Sequence, residues 1–430
     1  MAIWKQRIYQ PEQIIQKITE YQASGRQGYP FIDKEIQTLL VSMIKFNEAL
    51  PESEKRRIIG SALRQVLAAS GITANSLLGR ICKLEQEFLN QPKAPYVLAT
   101  ALLVKTSSIF PRKSIDGATF TFTNKLPIEF LRARQSLDER AQLDRIPKLT
   151  SNHQAVRVHI YARSPAEATQ LALDRLDLLR GIWNLYLHSG QVKITGGRHN
   201  IPVNQILLGP LHSLHHPSGQ LATDNFWYEP GYYSLPSPLN LSKEKFDKLF
   251  EFETKIRKHL KPLSYRTTME QALLRYVRAL DEHDWQKSFS RLWSLLELLT
   301  HTQQANYDTT IRRACYIFEK RDYYRQILKH LRENRNRATH DDEGAQEIEP
   351  LMYQLKNIIE ALMVRQIYNG LKFGSMTEWG EFLDMPVNRE DLNAKLTQLK
   401  KDITNLSKTA SMVQKALKFR YTDSDHNEPV

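Results

Sequence analysis

The period of the hydrophobic pattern changes twice along this chain, and only a mixed architecture accommodates both changes. From residue 1 to about 92, apolar residues recur at three- and four-residue spacing in Glu12 to Tyr21, Asp33 to Phe46, Glu52 to Ala69 and Ser76 to Leu89. Pro51, Ser70-Gly71 and Pro92 punctuate these segments, so four helices are predicted. From 93 to 241 the period falls to two. Thr119-Phe120-Thr121-Phe122-Thr123 alternates after the Asp116-Gly117 turn, and Val156, Val158 and Ile160 alternate with Arg157, His159 and Tyr161. One helix interrupts these strands. Ser164 can cap it, Pro165 suits its first position, Glu167 completes a capping box, and it should run to about Leu187. Shorter strands are expected around Gln191 to Ile194 and Asn204 to Leu208, with Gly196-Gly197 as a turn.

After Ser242 the helical period returns in Lys243 to Leu260, Thr267 to Leu280, Trp285 to Thr300, Asp308 to Lys320, Tyr323 to His340 and Pro350 to Tyr368. The expectation is an α+β protein, predominantly α-helical. It has a helical N-terminal region (1–92), a mixed middle domain (93–241), a bundle of four or five helices (242–375) and a helical extension (376–430). In the extension Leu392, Leu396, Leu399, Ile403, Leu406, Ala410, Val413 and Leu417 repeat every seven residues. Such a seam favours packing along a supercoil. The helix either lies on its own domain or serves self-association or a partner. The polar stretch Thr422 to Val430 reads as disordered.

Several function classes are excluded by what the sequence lacks. Cys82 and Cys315 are the two cysteines, too few for a disulfide framework or a four-cysteine zinc module, and they suit a reducing compartment. Both lie on apolar helix faces and read as core. Met1 to Gln10 has no apolar stretch of signal-peptide type, and Ala94 to Val104 is too short to span a bilayer. A cytoplasmic protein without membrane partners is expected. There is no phosphate loop, dinucleotide fingerprint, Gly-x-Ser-x-Gly elbow or His-Glu-x-x-His. His212, His215 and His216 fall beside Pro217 and Gly219, which mark a loop, so neither a metal nor a cofactor is expected.

Lys plus Arg total 60 against 47 Asp plus Glu, a net charge of +13. The distribution says more than the sum. Ile311 to His340 holds nine basic residues, Arg312, Arg313, Lys320, Arg321, Arg325, Lys329, Arg332, Arg335 and Arg337, against three acids. That clustering favours contact with phosphates. Tyr323 and Tyr324 could stack on bases of a single-stranded loop, although one of them should pack in the bundle. Inside the run lies Arg335-Asn336-Arg337-Ala338-Thr339-His340. At about 100° per residue, Asn336 and His340 share a helix face with Arg335 on its flank. Arginine can hold a phosphate and offset charge developing on it, and histidine can move a proton near neutral pH.

This Arg-Asn-x-x-x-His stretch in a C-terminal helical bundle resembles the HEPN superfamily of ribonucleases and RNA-binding domains. Its Arg-Asn-x-x-Thr-His-Asp form is similar to the ApeA-like HEPN proteins of bacterial antiphage defence. Leu292-Trp293-Ser294-Leu295-Leu296-Glu297-Leu298-Leu299 is similar to the family's second-helix pattern. The resemblance covers about residues 245–372. It implies a metal-independent endoribonuclease of a defence, toxin or abortive-infection system, in which a ribose 2′-hydroxyl attacks the adjacent phosphate. Carried over, His340 is the general acid or base, Arg335 stabilises the phosphorane, Asn336 positions the phosphate or imidazole, and Glu297 orients Arg335. Arg312, Arg313, Arg321, Arg325, Lys329, Arg332 and Arg337 would hold RNA, with transfer RNA one candidate and messenger RNA another. One histidine per chain implies a homodimer through the bundle, and the first 241 residues would sense a phage-derived or protein trigger or guide the substrate. The alternative is a catalytically inactive HEPN protein that binds nucleic acid or acts as a scaffold.

Overall fold

Four N-terminal helices, α1 (Pro11–Ala23), α2 (Pro30–Met43), α3 (Glu52–Leu67) and α4 (Ala74–Leu89), follow a two-residue strand β1 (Ile3–Trp4). β1 pairs antiparallel with β2 (Ile44–Lys45). The helices bury Leu40, Ile59, Leu77, Ile81 and Phe88 in one core, the result expected of their apolar spacing. A capping box at Thr73 and Ser76 starts α4. This computed structural model describes residues 1–5, 9–23, 30–67, 72–108, 110–147, 153–189, 201–232, 236–303, 305–337 and 348–421. The expected strand at 191–194, the turn at Gly196-Gly197, the break at Ser70-Gly71, His340 and the tail 422–430 lie outside the described residues.

The middle region is built from β3 (Ala94–Leu102), β4 (Val104–Thr106), β5 (Lys113–Ile115), β6 (Ala118–Thr123), α5 (Ile128–Ala133), α6 (Gln135–Leu143), β7 (Gln154–Ala162), α7 (Pro165–His188), β8 (Leu211–His215), β9 (Leu221–Tyr228) and β10 (Leu239–Leu241). Six strands form an antiparallel sheet in the order β5-β6-β7-β3-β8-β9, while β10 runs parallel to β4. β6 alternates buried and half-buried residues as its sequence predicts, whereas the central β3 is buried continuously from Tyr96 to Leu102. α7 packs on β7, β3 and β8. Ser164 caps it by accepting from the Glu167 backbone, with Pro165 in the first turn.

The strand expected at 204–208 is replaced by a single bridge between Leu102 and Leu208. Part of its backbone goes to side chains of α7, while the Leu207 carbonyl accepts from the Leu103 amide at 2.9 Å. The Gln205 and Ile206 amides donate to Asn184 Oδ1, both at 3.0 Å, and the Ile206 carbonyl accepts from Arg180 and Asn184. The ladder forms later, at β8, with Arg140 donating to the Asp224 carbonyl of the edge strand β9 at 2.9 Å.

The chain divides into two units, Met1–Lys258 with Leu273–Asp284, and His259–Ala272 with Trp285–Val430. Both sequence boundaries, at 92 and at 241, therefore fall inside the first unit. At the former, buried Glu54 of α3 accepts from Ser164, and the Arg163 guanidinium bonds the Leu89 carbonyl and Glu167. At the latter, α8 (Lys243–Leu260) sends Phe246 and Phe250 against Phe110, and Phe250 against Trp183. Its buried Glu253 accepts from Trp183 Nε1 at 2.8 Å and from Lys113 at 2.9 Å. Arg257 donates to the Ser114 carbonyl of β5 at 2.9 Å. Within this unit Arg180 is fully buried, bonded through Nη1 to Asp177 at 2.6 Å and through Nη2 to both carboxylate oxygens of Asp281 at 2.7 and 2.9 Å.

α9 (Arg266–Leu280) contributes its residues to Ala272 to the second unit and the rest to the first. The second unit continues with α10 (Trp285–Leu299), α11 (Tyr307–Cys315), α12 (Arg321–Arg337), α13 (Ile348–Tyr368), α14 (Met376–Leu383) and α15 (Arg389–Tyr421). α10 packs along α13, burying Leu292, Leu296 and Leu299 with Leu355, Ile359 and Leu362. The helix expected to reach Lys320 stops at Cys315, and Phe318 turns out of it to stack on Tyr324 at 3.9 Å. A chain of buried hydroxyls, Thr300, Thr302 and Thr310, each link 2.8 Å, ties the end of α10 to α11. The fold class is α+β, predominantly helical. Among the described residues no helix is long and apolar enough to cross a membrane.

Candidate active site

α12 is aimed by its apolar stripe. Leu328 and Leu331 are fully buried, and Arg335 follows Leu331 by one helical turn on the same face. That spacing carries the Arg335 guanidinium onto two aromatic rings, Tyr307 at 4.8 Å from the ring centre and Trp293 at 6.0 Å. The rings meet edge to face, 6.1 Å apart. Arg335 Nη1 also donates to the Tyr307 hydroxyl. Tyr307 is the first residue of α11, fixed there by the Asn306 cap, whose side chain accepts from the Thr309 amide. A guanidinium stacked over aromatic faces and hydrogen-bonded at one edge is oriented before any ligand arrives.

Glu297 is half-buried on α10, and among the described residues no hydrogen bond or ion pair joins it to Arg335. The orienting partner is Tyr307, which sequence reasoning missed. The available signal was Asn306-Tyr307 at the start of a helix that precedes a basic one, and nothing in a linear pattern says which aromatic an arginine will meet. Asn336 and Arg337 form the last residues of α12, and His340 lies three residues beyond its described end.

The basic run proves to be partly neutralised by acids that stand outside it in sequence. Arg313 donates to both carboxylate oxygens of Asp384, at 2.9 and 2.7 Å, and to the Thr300 and His301 carbonyls at 3.0 and 2.8 Å. Arg312 pairs with the same Asp384 at 2.8 Å. Hydrogen bonds from Arg313 hold the Asp384 carboxyl below its ordinary range. Arg332 bonds Asp308 at 2.7 Å, and Arg325 lies 3.5 Å from Asp322. Arg321 stacks over Tyr316 at 5.6 Å. Lys320 and Lys329 point to solvent, as does Tyr323, which is 62% exposed. Arg313 is thus a tie between α11 and α14.

The other chemically suggestive side chains are accounted for within the first unit or the core. His212 lies between the Thr100 hydroxyl at 2.6 Å and Glu229 at 3.1 Å. His215 Nδ1 bonds the Gly219 carbonyl and Nε2 meets the Ser213 hydroxyl, each at 2.8 Å, and His216 stacks on Tyr96. Burial pushes the His215 imidazole down to about 4, so it stays neutral at physiological pH. The Cys315 thiol is fully buried and pushed up to about 11 by that burial. Cys82 donates to the Ala2 carbonyl, and burial raises it too. Neither thiol has the depressed pKa of a nucleophile.

No family model matches the chain, and no curated protein or solved structure matches it either.

Proposed function

We propose that the second unit carries a metal-independent endoribonuclease site at the end of α12, with an RNA phosphate as the group it acts on. The observation that supports this reading is the clamp on Arg335. Its guanidinium is held by Tyr307 and Trp293 within one turn of Asn336 and five residues before His340, on a helix rich in positive charge. Such a cation suits the charge that builds on phosphate oxygens during transfer. In the reaction the 2′-oxygen bonds to phosphorus, the bond from phosphorus to the 5′-oxygen breaks, one proton leaves the 2′-hydroxyl and one reaches the departing 5′-oxygen. The products are a 2′,3′-cyclic phosphate and a 5′-hydroxyl. His340 serves as one proton carrier, Arg335 stabilises the phosphorane, and Asn336 positions the phosphate or the imidazole. Since two proton carriers are needed and each chain supplies one such histidine, two copies complete the reaction. The cellular setting that goes with this reading is antiphage defence or a toxin system, with residues 1–241 sensing the trigger or guiding the substrate.

The test is cleavage of total cellular RNA in EDTA by the wild type, His340→Ala and Arg335→Ala, with product ends mapped. His340→Ala should lose roughly 100- to 10,000-fold in rate, the range of a general acid or base. Equal cleavage by wild type and His340→Ala sinks the assignment.

One observation favours a second reading. Arg312, Arg313 and Arg332 are engaged with Asp384 and Asp308, so part of the basic run acts as internal bracing. On that reading the unit is a scaffold that binds nucleic acid without cutting it. Full RNA affinity in His340→Ala, with no cleavage by either protein in the presence of infected-cell extract, selects it.

A further inference from the structure

Helix α15 is exposed along its whole length, from Arg389 to Arg420. The alternative that it lies on its own domain is therefore removed. Its heptad stripe faces solvent, with Leu396 51%, Ile403 67% and Leu406 69% exposed. We propose that α15 pairs antiparallel with α15 of a second copy of this chain. This inference does not depend on the nuclease reading.

Three features argue for this occupant and this orientation. In an antiparallel pair centred between Thr404 and Asn405, every seam residue meets a seam residue of the other copy. Leu392 meets Leu417, Leu396 meets Val413, Leu399 meets Ala410 and Ile403 meets Leu406, so the small Ala410 lies opposite a large side chain. A parallel pair in register would instead set Ala410 against Ala410 and leave a thin layer. Eight seam side chains per copy bury roughly 1,400 Å² in total, inside the range of about 1,200–2,000 Å² typical of specific stable interfaces.

Charge points the same way. Three charged residues flank the seam, Lys395, Lys400 and Asp402. Pairing in parallel places Lys395 of each copy against Lys400 of the other, two like-charge contacts. Pairing antiparallel sets Lys395 by Ala416, Lys400 by Ser407 and Asp402 by Thr409, with no repulsion. The ends add to this. α15 carries Glu390 and Asp391 in its first turn and Lys418 and Arg420 in its last, so the antiparallel arrangement brings acidic and basic ends together along with opposed helix dipoles. The next seam positions outward are Arg389 and Arg420, where the apolar stripe stops; they oppose each other in the antiparallel pair and themselves in the parallel one, so they favour neither orientation.

The experiment uses the full chain carrying Lys395→Cys and Ala416→Cys, a short bismaleimide, and peptide mapping, with the wild type as control for Cys82 and Cys315. The two positions are about 32 Å apart along one helix, too far to be bridged within a chain. The expected result is a cross-link between 395 of one copy and 416 of another, with sedimentation giving twice the chain mass of 50.0 kDa. Adding Ile403→Asp should abolish the cross-link without changing the thermal melting of the bundle. Links of 395 to 395 overturn the proposal. So does the absence of a 395–416 link, whether the chain is then monomeric or dimeric through another surface, and so does a link that survives Ile403→Asp.

Discussion

Two long helices, α7 and α15, show opposite relations between sequence and burial. α7 is buried on nearly every side and takes polar groups with it, among them Asp177, Arg180, Asn184 and His188. α15 has the more regular apolar stripe and buries none of it within the chain. The difference lies in what meets each helix. Arg180 finds Asp281, Asp177 finds Arg278 at 3.0 Å, and Asn184 takes the backbone of Gln205 and Ile206. A polar residue can enter a core when its partners are already positioned there. A hydrophobic stripe, however regular, needs a facing surface, and among the described residues α15 has none.

The sharpest way to break this comparison is to remove one partner from α7. Arg180→Met leaves Asp281 without its cation and Asp177 with Arg278 alone, and should cost roughly 3–5 kcal/mol of stability in denaturant titration. A cost under about 1 kcal/mol would mean that the network does not hold α7 in place. Paired with Asp281→Leu, the double variant should lose less than the two single losses combined.

The second effect is one of pH. The folded His215 titrates near 4 against an ordinary 6.5, so between these values the unfolded chain binds a proton that the folded chain does not. Stability from this residue is full above pH 6.5 and falls as pH drops toward 4, by about 3 kcal/mol at 1.36 kcal/mol per pH unit. Asp281 acts in the opposite sense. Burial pushes its carboxyl up to about 6 against the pull of Arg180, so its contribution grows as pH falls from 6 toward 3.8. The check is therefore the difference between wild type and His215→Gln across pH 4–7, where the variant should lose less stability on the acid side. Identical pH profiles would show that the site relaxes around the charged ring.

A smaller loss is expected from Gly181→Ala in α7. A Cβ there would stand 2.9 Å from the Leu273 carbonyl oxygen, and overpacking of this kind costs about 1–3 kcal/mol. At the far end of the scale, Ser411→Ala on the polar face of α15 should move the melting free energy by no more than about 0.5 kcal/mol. If the two alanine substitutions behave alike, the contrast between the helices is wrong.

Periodicity carried the sequence reading a long way where local pattern and burial coincide. The N-terminal helices, β6, β7, α7 and α10 through α13 stand close to where Phe120, Val158, Pro165 or Leu292 placed them. It failed where side chains took over from the backbone. Residues 204–208 look like a strand, yet Asn184 and Arg180 claim the hydrogen bonds of Gln205 and Ile206, and no linear pattern reveals a claim made from 20 residues away. α14 was not anticipated, nor was its Asp384, the counterion to Arg312 and Arg313. In the candidate site, Arg335 and the aromatic Trp293 were legible as a motif, while Tyr307 became visible only through packing. Glu297 illustrates the limit. It has the right chemistry and the right helix, yet among the described residues no hydrogen bond joins it to Arg335, which donates to the Tyr307 hydroxyl.

Both edges of the six-stranded sheet share one detail. On β9 the Asp224 carbonyl is taken by Arg140, and on β5 the Ser114 carbonyl is taken by Arg257. A carbonyl already engaged by a guanidinium is a poorer acceptor for an incoming strand, and a bulky charge on the edge repels a second sheet. On the proposed pairing of copies through α15, this matters for solubility. Raising the local concentration of a sheet also raises the chance that sheets join edge to edge into aggregates, and two arginines guard against that outcome at the places where it would begin.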